Sequence, residues 1–340
     1  MKKSLVALAV LGTLAGTAAA QSSVTLFGVV DLAARYNKAN GQSISSLASS
    51  GSSSSRFGLR GTEELGGGLK AGFWIESSLG ADTGSAGATA DGVTRFWDRR
   101  ATVSLWGDFG EARLGRAKTS ERLVIDDFDP HSTTGIGDIT RVYSVLGSGA
   151  QNINRSDNQV VYNLPANLGG FYGGADVAAG EGTDGKKYYG GRLGYKAGPM
   201  HFAGGYQQTD ARGSKFKLGS LAGAYDFGMV RASLLYTKTK FNAADQDIYT
   251  VGAIVPIGSG EFKASYTNAS ANSAANAVGV YDAQHFALSY TYNLSKRTAL
   301  YTTAAIIEND GRGTFSLAGS PTMAPGGRSG AVDVGVKHSF

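Results

Sequence analysis

Residues 98–116 read DRRATVSLWGDFGEARLGR. Ala101, Val103 and Leu105, then Ala112 and Leu114, take every second position, and arginine and glutamate crowd the places between them. A period of two is the signature of a strand whose faces meet different surroundings. Here one face is apolar enough for oil and the other charged enough for water. The GDFG at 107–110 between the two runs has the residues of a tight turn.

The same alternation recurs along the chain. VTLFGVVDLAARY places Val24, Leu26, Val30, Leu32, Ala34 and Tyr36 opposite Thr25, Asp31 and Arg35. LKAGFWIESSL sets Leu69, Ala71, Phe73, Ile75 and Leu79 against Lys70, Trp74 and Glu76. AQHFALSYTYNL separates Phe286, Leu288, Tyr290 and Tyr292 from His285, Ser289, Thr291 and Asn293. No stretch after residue 20 sustains a helical period or a spanning apolar run.

Connections of two sizes alternate between these runs. Seven short ones lie at 64–69, 107–110, 164–170, 196–199, 225–228, 256–260 and 293–297. Eight longer polar ones lie near 37–54, 80–93, 117–156, 181–186, 209–215, 241–246, 268–282 and 309–329. Fifteen connections join sixteen strands, each about as long as a tilted strand needs to cross a bilayer. Backbone groups in hydrocarbon must pair within the protein, so such a sheet has to close on itself. The sequence therefore predicts a 16-stranded antiparallel transmembrane β-barrel, with short periplasmic turns and long outer loops. A soluble β-sandwich would also alternate, but its strands are shorter and its connections less regular.

The composition agrees. Fifty glycines with only six prolines, and no G-X-Y period, suit twisted strands and tight turns. There is no cysteine, hence no disulfide, thiol nucleophile or cysteine metal site. The N-terminus, MKKSLVALAVLGTLAGTAAA, has the charged, apolar and small-residue zones of a cleaved signal peptide over 1–20, leaving 21–340 as the barrel domain. Loss of Lys2 and Lys3 lowers the formal charge from +5 to +3, too little to argue for nucleic acid. The run SSLASSGSSSS at 45–55 reads as the first outer loop.

Parity assigns the charges. An arginine facing lipid at mid-membrane costs about 2–4 kcal/mol, so Arg56, Arg60, Arg100, Arg113 and Arg155 point into a water-filled lumen. Arg99 breaks the alternation and needs a bulge or a position above the strand; Arg116 has the same difficulty. The longest connection, 117–156, carries Glu121, Asp126, Asp127, Asp129 and Asp138. If it folds inward, its carboxylates stand across a narrow passage from the arginines. Unit charges ~8 Å apart interact by about 2 kcal/mol at an effective dielectric near 20, enough to sort ions. The acids could equally neutralise the arginines as internal ion pairs.

Several segments together resemble a known family: SSVTLFGVVD (22–31), SRFGLRGTEELGGGLKAGFWIE (55–76), RRATVSLWGDFGEARLGR (99–116), TTGIGD (133–138), NLSKRTALY (293–301) and VGVKHSF (334–340). They are similar to the general trimeric porins of β-proteobacteria, related to the neisserial porins. The resemblance implies a homotrimer in the outer membrane and an inward-folded third loop that sets the constriction. It also implies passive diffusion of small anions and hydrophilic solutes. Arg56, Arg99 and Arg155 match the wall arginines of its anion-preferring members. Asp98 departs from the basic residue of those relatives and predicts a weaker anion preference. The end AVDVGVKHSF, with Val336 and Phe340, resembles the signal read by the barrel-assembly machinery.

Other chemistry finds less support. GEGTDGKK (180–187) lacks the final Ser or Thr of a phosphate loop and reads as an outer loop tip. His131, His201, His285 and His338 have no metal spacing. An outer-membrane hydrolase would have to use His285 with Ser289, without a visible orienting partner. A solute-specific channel would want a ladder of lumen aromatics, and only Trp74 is inward by parity. No cofactor is implied.

Overall fold

The computed structural model describes residues 23–90 and 93–340; the leader expected over 1–20 lies outside them. Sixteen antiparallel strands build the wall. They are β1 (Ser23–Ala39), β2 (Arg56–Gly66), β3 (Leu69–Gly80), β4 (Arg100–Gly107), β5 (Gly110–Lys118), β6 (Arg155–Asn163), β7 (Phe171–Ala178) and β8 (Tyr188–Ala197). The second half is β9 (Met200–Ala211), β10 (Ser214–Asp226), β11 (Arg231–Phe241), β12 (Ala244–Ile257), β13 (Gly260–Ala271), β14 (Ala283–Asn293), β15 (Thr298–Asn309) and β16 (Arg328–Ser339). Each pairs with the next, and β16 returns to β1 with Val29 opposite Ser339 and Ala39 opposite Ser329.

That last pairing closes the sheet. Gly28 and Phe340 exchange backbone hydrogen bonds of 3.0 and 3.1 Å, and a Cβ at Gly28 would strike the Phe340 ring and the Arg56 carbonyl. The bare glycine is what lets the chain end seal the seam. Val332, Val334 and Val336 face outward beside it.

Alternation survives in the burial pattern. In β10, Phe216, Leu218 and Ser220 are buried inside, whereas Leu221 is 67% exposed on the outer face. Leu26, Leu114, Val160, Leu193 and Val251 are exposed in the same way, as lipid-facing side chains are in an isolated chain.

Two expected outer loops are not loops. Residues 209–215 and 241–246 are strand ends joined by tight turns at Arg212–Gly213 and Asn242–Ala243, with φ 47° at Arg212, 69° at Gly213 and 54° at Asn242. Their polarity reflects strands that rise above the membrane. The first loop is also partly sheet. Gln42–Ser49 folds back on Leu32–Ala39 through Asn40–Gly41, and β2 takes over as partner of β1 from Val29 downward.

The third connection runs inside the barrel. Helix α1 (Ser120–Phe128) begins at Thr119, whose side chain accepts from the Arg122 amide, and the Asp176 carboxylate accepts from the Ser120 amide at 2.8 Å. Val124, Ile125 and Phe128, with Ile139, pack against Ala203, Ala224 and Leu235 of β9–β11. Farther on, Ile136 and Val142 sit among Ile248, Ala269, Ala283 and Ile307. Each such side chain, once buried, favours docking by about 1.5–3 kcal/mol before entropy. This half of the lumen wall therefore carries apolar patches among buried polar side chains such as Gln207, Thr237 and His285, because it is covered by protein.

Candidate functional site: the lumen constriction

Docking of the third connection on β9–β15 leaves a passage beside β2–β6. A cavity of about 570 Å³ there is lined by Arg56, Arg99, Arg100, Arg113, Lys118, Arg155, Lys263 and Lys337, against one carboxylate, Glu76. Eight cations and one acid line this cavity, and Arg113, Lys118 and Lys263 also pair with Glu111, Asp126 and Glu261 just outside the lining.

Glu76, on β3, organises this group. Its carboxylate accepts from Arg99 Nε at 2.5 Å and from Trp74 Nε1 at 3.1 Å, with Arg56 Nε at 3.7 Å. Arg99 stands at the bend before β4, so it reaches the lumen from above the strand. Its carbonyl in turn accepts from Arg155 Nε at 2.9 Å. Arg56 donates to the Ser54 carbonyl at 2.9 Å, part of the serine-rich segment that Asp31 draws inward by accepting amides of Gly51, Ser52 and Ser53. The Arg100 guanidinium lies 4.5 Å from the Trp74 ring centre and Arg60 5.2 Å from it. Arg60 also stacks on Phe27 and is not among the cavity-lining residues.

Arg116 reaches inward through a bulge. The β5–β6 register slips between Ser156 and Gln159, with Gly115 at φ 119° and Asn158 at φ 55°. Arg116 then bonds the Asp98 carbonyl and Asp157, both at 2.6 Å. Asp98 accepts from the Ser78 amide and hydroxyl, both at 2.7 Å, and lines an adjoining cavity with Arg95, Arg116, Arg155 and Asp157.

Two acids of the third connection pair with wall cations, Asp126 with Lys118 and Asp127 with Arg192, the internal ion pairing that was the alternative expectation. They hold the connection in shape. Asp126 is ion-paired to Lys118 and to Arg122 at 2.8 Å; burial opposes its ionisation, but these cations keep its carboxyl below the usual range. Asp127 pairs with Arg192 of β8 at 3.3 Å, and burial raises it. Asp129 accepts amides of His131 and Thr133, while burial and then Asp138 push it up to about 7. Asp138 caps the following turn by accepting from Thr140 at 2.9 Å. Glu121 is wholly buried against the β9–β10 wall, with the Ser220 hydroxyl beside it, and burial pushes its carboxyl up to about 8.

Glu121 gives docking a pH dependence. Its proton is held more tightly in the docked state than in the free chain, whose carboxyl titrates near ~4.3. Docking is thus unaffected below that value and weakens as pH rises toward about 8. Asp129 acts with the same sign to about 7; His131, lowered by burial to about 3, matters only on the acid side of the ordinary histidine range. Amide exchange over residues 120–142, corrected for intrinsic rate, is expected to quicken from about pH 6 to about pH 8 and to level off above it. Glu121→Gln should flatten that rise, and an unaltered slope would refute the assignment.

Sequence reasoning had not singled out Lys118, Lys263, Lys337 or the organising role of Glu76. Lys337 was available by parity, opposite Val336; the others depend on which strands meet across the lumen. The hydrolase pair does not form: His285 is buried and its Nε2 meets the Ile136 carbonyl at 3.0 Å, anchoring the third connection.

This geometry has known counterparts. A family model described as Gram-negative porin matches residues 7–312. Outer membrane porin protein 32 of Delftia acidovorans is 40% identical with both chains fully covered, and an outer membrane porin of Bordetella pertussis is 30% identical, again over both whole chains. A solved structure described as an anion-selective porin from Comamonas acidovorans superposes with a TM-score of 0.82 at 37% identity, covering 94% of this chain and all of that one. The trimer form of an outer membrane protein of Vibrio cholerae, OmpT, shares the fold at a TM-score of 0.66 and 15% identity, over 94% of this chain and 99% of its own. A closed sixteen-stranded wall, an indwelling third loop and these relatives together place the chain in the Gram-negative porin family.

Proposed function

We propose that this outer-membrane channel passes small hydrophilic solutes passively and prefers anions. The observation that carries the reading is the lining of the constriction, where eight cationic side chains and one carboxylate face the passage while Glu111, Asp126 and Glu261 pair with Arg113, Lys118 and Lys263 from outside the lining. A permeating anion exchanges part of its hydration for guanidinium donors without meeting a deep trap, which favours passage over retention. Arg56, Arg99, Arg100 and Arg155 are the proposed wall residues, and Arg60 supports them from below through Trp74. Glu121, Asp126, Asp127, Asp129 and Asp138 are proposed to act by holding the loop. Asp98, bonded to Ser78 and lining the adjoining cavity with Arg155, is proposed to temper that preference.

The described relative with a trimer form supports assembly as a homotrimer in lipid. Residues 1–20 are proposed as the removed export leader, and the strand ending in Val336 and Phe340 as the segment offered to the barrel-assembly machinery. Swelling of vesicles containing the channel tests the permeation claim. An organic monoanion should enter faster than a neutral sugar of its size, with rates linear in concentration. Saturation at low concentration would favour a solute-specific channel instead.

A further inference from the structure

Beside the constriction, the first loop and the third connection meet the barrel wall around a second and much smaller cavity. Gly135, at φ 68°, allows the two segments to touch, because a Cβ there would strike the Gly51 carbonyl. The cavity measures about 10 Å³, room for one particle the size of a water molecule. Ser52 and His131 line it from these two segments, and Lys263, Ser289, Thr291 and Thr303 from β13–β15.

The register builds a row of donors. Lys263 lies directly opposite Ser289 and Ser289 opposite Thr303, so three inward side chains stand abreast on adjacent strands, with Thr291 two residues along. Ser289, Thr291 and Thr303 are more than nine-tenths buried, yet their hydroxyls, and that of Ser52, take no hydrogen-bond partner among the described residues. His131 adds its Nε2, buried without a partner while Nδ1 meets the Ser265 hydroxyl at 3.3 Å. Buried polar groups are ordinarily paired, so this many around one small space call for a guest. Charge and size then select it. Lys263 brings an ammonium, and no carboxylate is among the described residues that line the cavity. The acids nearby are engaged elsewhere: Glu261 meets Lys263 at 2.8 Å from outside the lining, Asp333 meets Arg35 at 2.7 Å, and Asp31 accepts the amides of Gly51, Ser52 and Ser53. A space for one water-sized particle leaves no room for a carboxylate, sulfate or phosphate.

We infer that this cavity binds a single monatomic anion, chloride in ordinary salt, held by the Lys263 ammonium and by the hydroxyls of Ser52, Ser289, Thr291 and Thr303. The ion is structural: it ties the first loop and the third connection to the wall, and no arginine lines its site. Ser52, Thr134 and Lys263 border both this cavity and the constriction, which gives the ion its route in. Its binding does not depend on which ions the passage prefers.

Crystals of the purified channel soaked in sodium bromide and measured at the bromine absorption edge test the site directly. One anomalous peak is expected between Lys263 Nζ and the Thr303 hydroxyl; it should vanish in Thr303→Val and persist in Thr303→Ser. In solution, amide exchange over residues 131–137 should run about tenfold slower with chloride or bromide at about ten times its dissociation constant than in gluconate of equal ionic strength. Lys263→Met and Thr303→Val should abolish that difference, and Thr303→Ser should keep it. Thr303 lies outside the lining of the constriction, so Thr303→Val should leave the reversal potential as it was, which separates this site from the proposed selectivity. Wild-type crystals with no bromide peak here, or with bromide confined to the arginines of the passage, overturn the assignment and give the cavity to water. Exchange indifferent to halide overturns it as well.

Discussion

Replacing Arg56 and Arg155 by alanine is expected to shift the zero-current potential in a salt gradient strongly toward cations. Arg99 is compensated by Glu76, and Arg113 is paired with Glu111 at 2.6 Å. Arg155, by contrast, spends its Nε on a backbone carbonyl, and Arg56 bonds the Ser54 carbonyl with Glu76 only at the edge of ion-pair range. These two charges therefore act on a passing ion nearly undiminished. At contact distance in water a unit charge is worth about 1 kcal/mol, favourable to an anion and unfavourable to a cation, so each should change the anion-to-cation permeability ratio roughly thirtyfold. The shift should shrink in concentrated salt, where the screening length falls to about 3 Å. Glu76→Gln should move the potential the opposite way. An unchanged potential in the folded double variant would remove both arginines from the account.

The second large effect concerns the third loop. Val124 is fully buried between α1 and the β9–β11 wall. A carboxylate there, in Val124→Asp, would lack a partner and cost several kcal/mol, more than any single apolar contact of the loop returns. The helix is expected to leave the wall while the ladder of strands stays closed. Single-channel conductance should then rise and fluctuate, and vesicle swelling should admit larger sugars. A folded variant with wild-type conductance would show that the loop does not set the width of the passage.

Much of the wall could be read from the sequence because lipid and water impose opposite demands on neighbouring residues. Leu26, Leu114 and Val160 follow parity for that reason, and so do Arg56 and Arg100. The outer ends were harder. Asp210, Lys215 and Asp245 belong to strands that have already left the membrane, and their polarity resembles that of a loop. Arg99 and Arg116 escape simple alternation because a bend and a bulge aim them, and the positive φ at Asn158 has no plain sequence mark. The orientation of Asp126, Asp129 and Glu121 was out of reach for another reason. It is decided by which wall strands the loop packs against, and some of those lie well over a hundred residues away. Lys337 joins the constriction only once β16 is seen to pair with β1, and Lys263 only once the closed barrel brings β13 round to face the same passage.

The most direct test is the reversal potential of the unaltered channel in a potassium chloride gradient across a planar bilayer. A lining of eight cations and one carboxylate predicts the sign of chloride permeation, with the preference strongest at low salt. A potential of zero, or of the sign set by potassium, would contradict it.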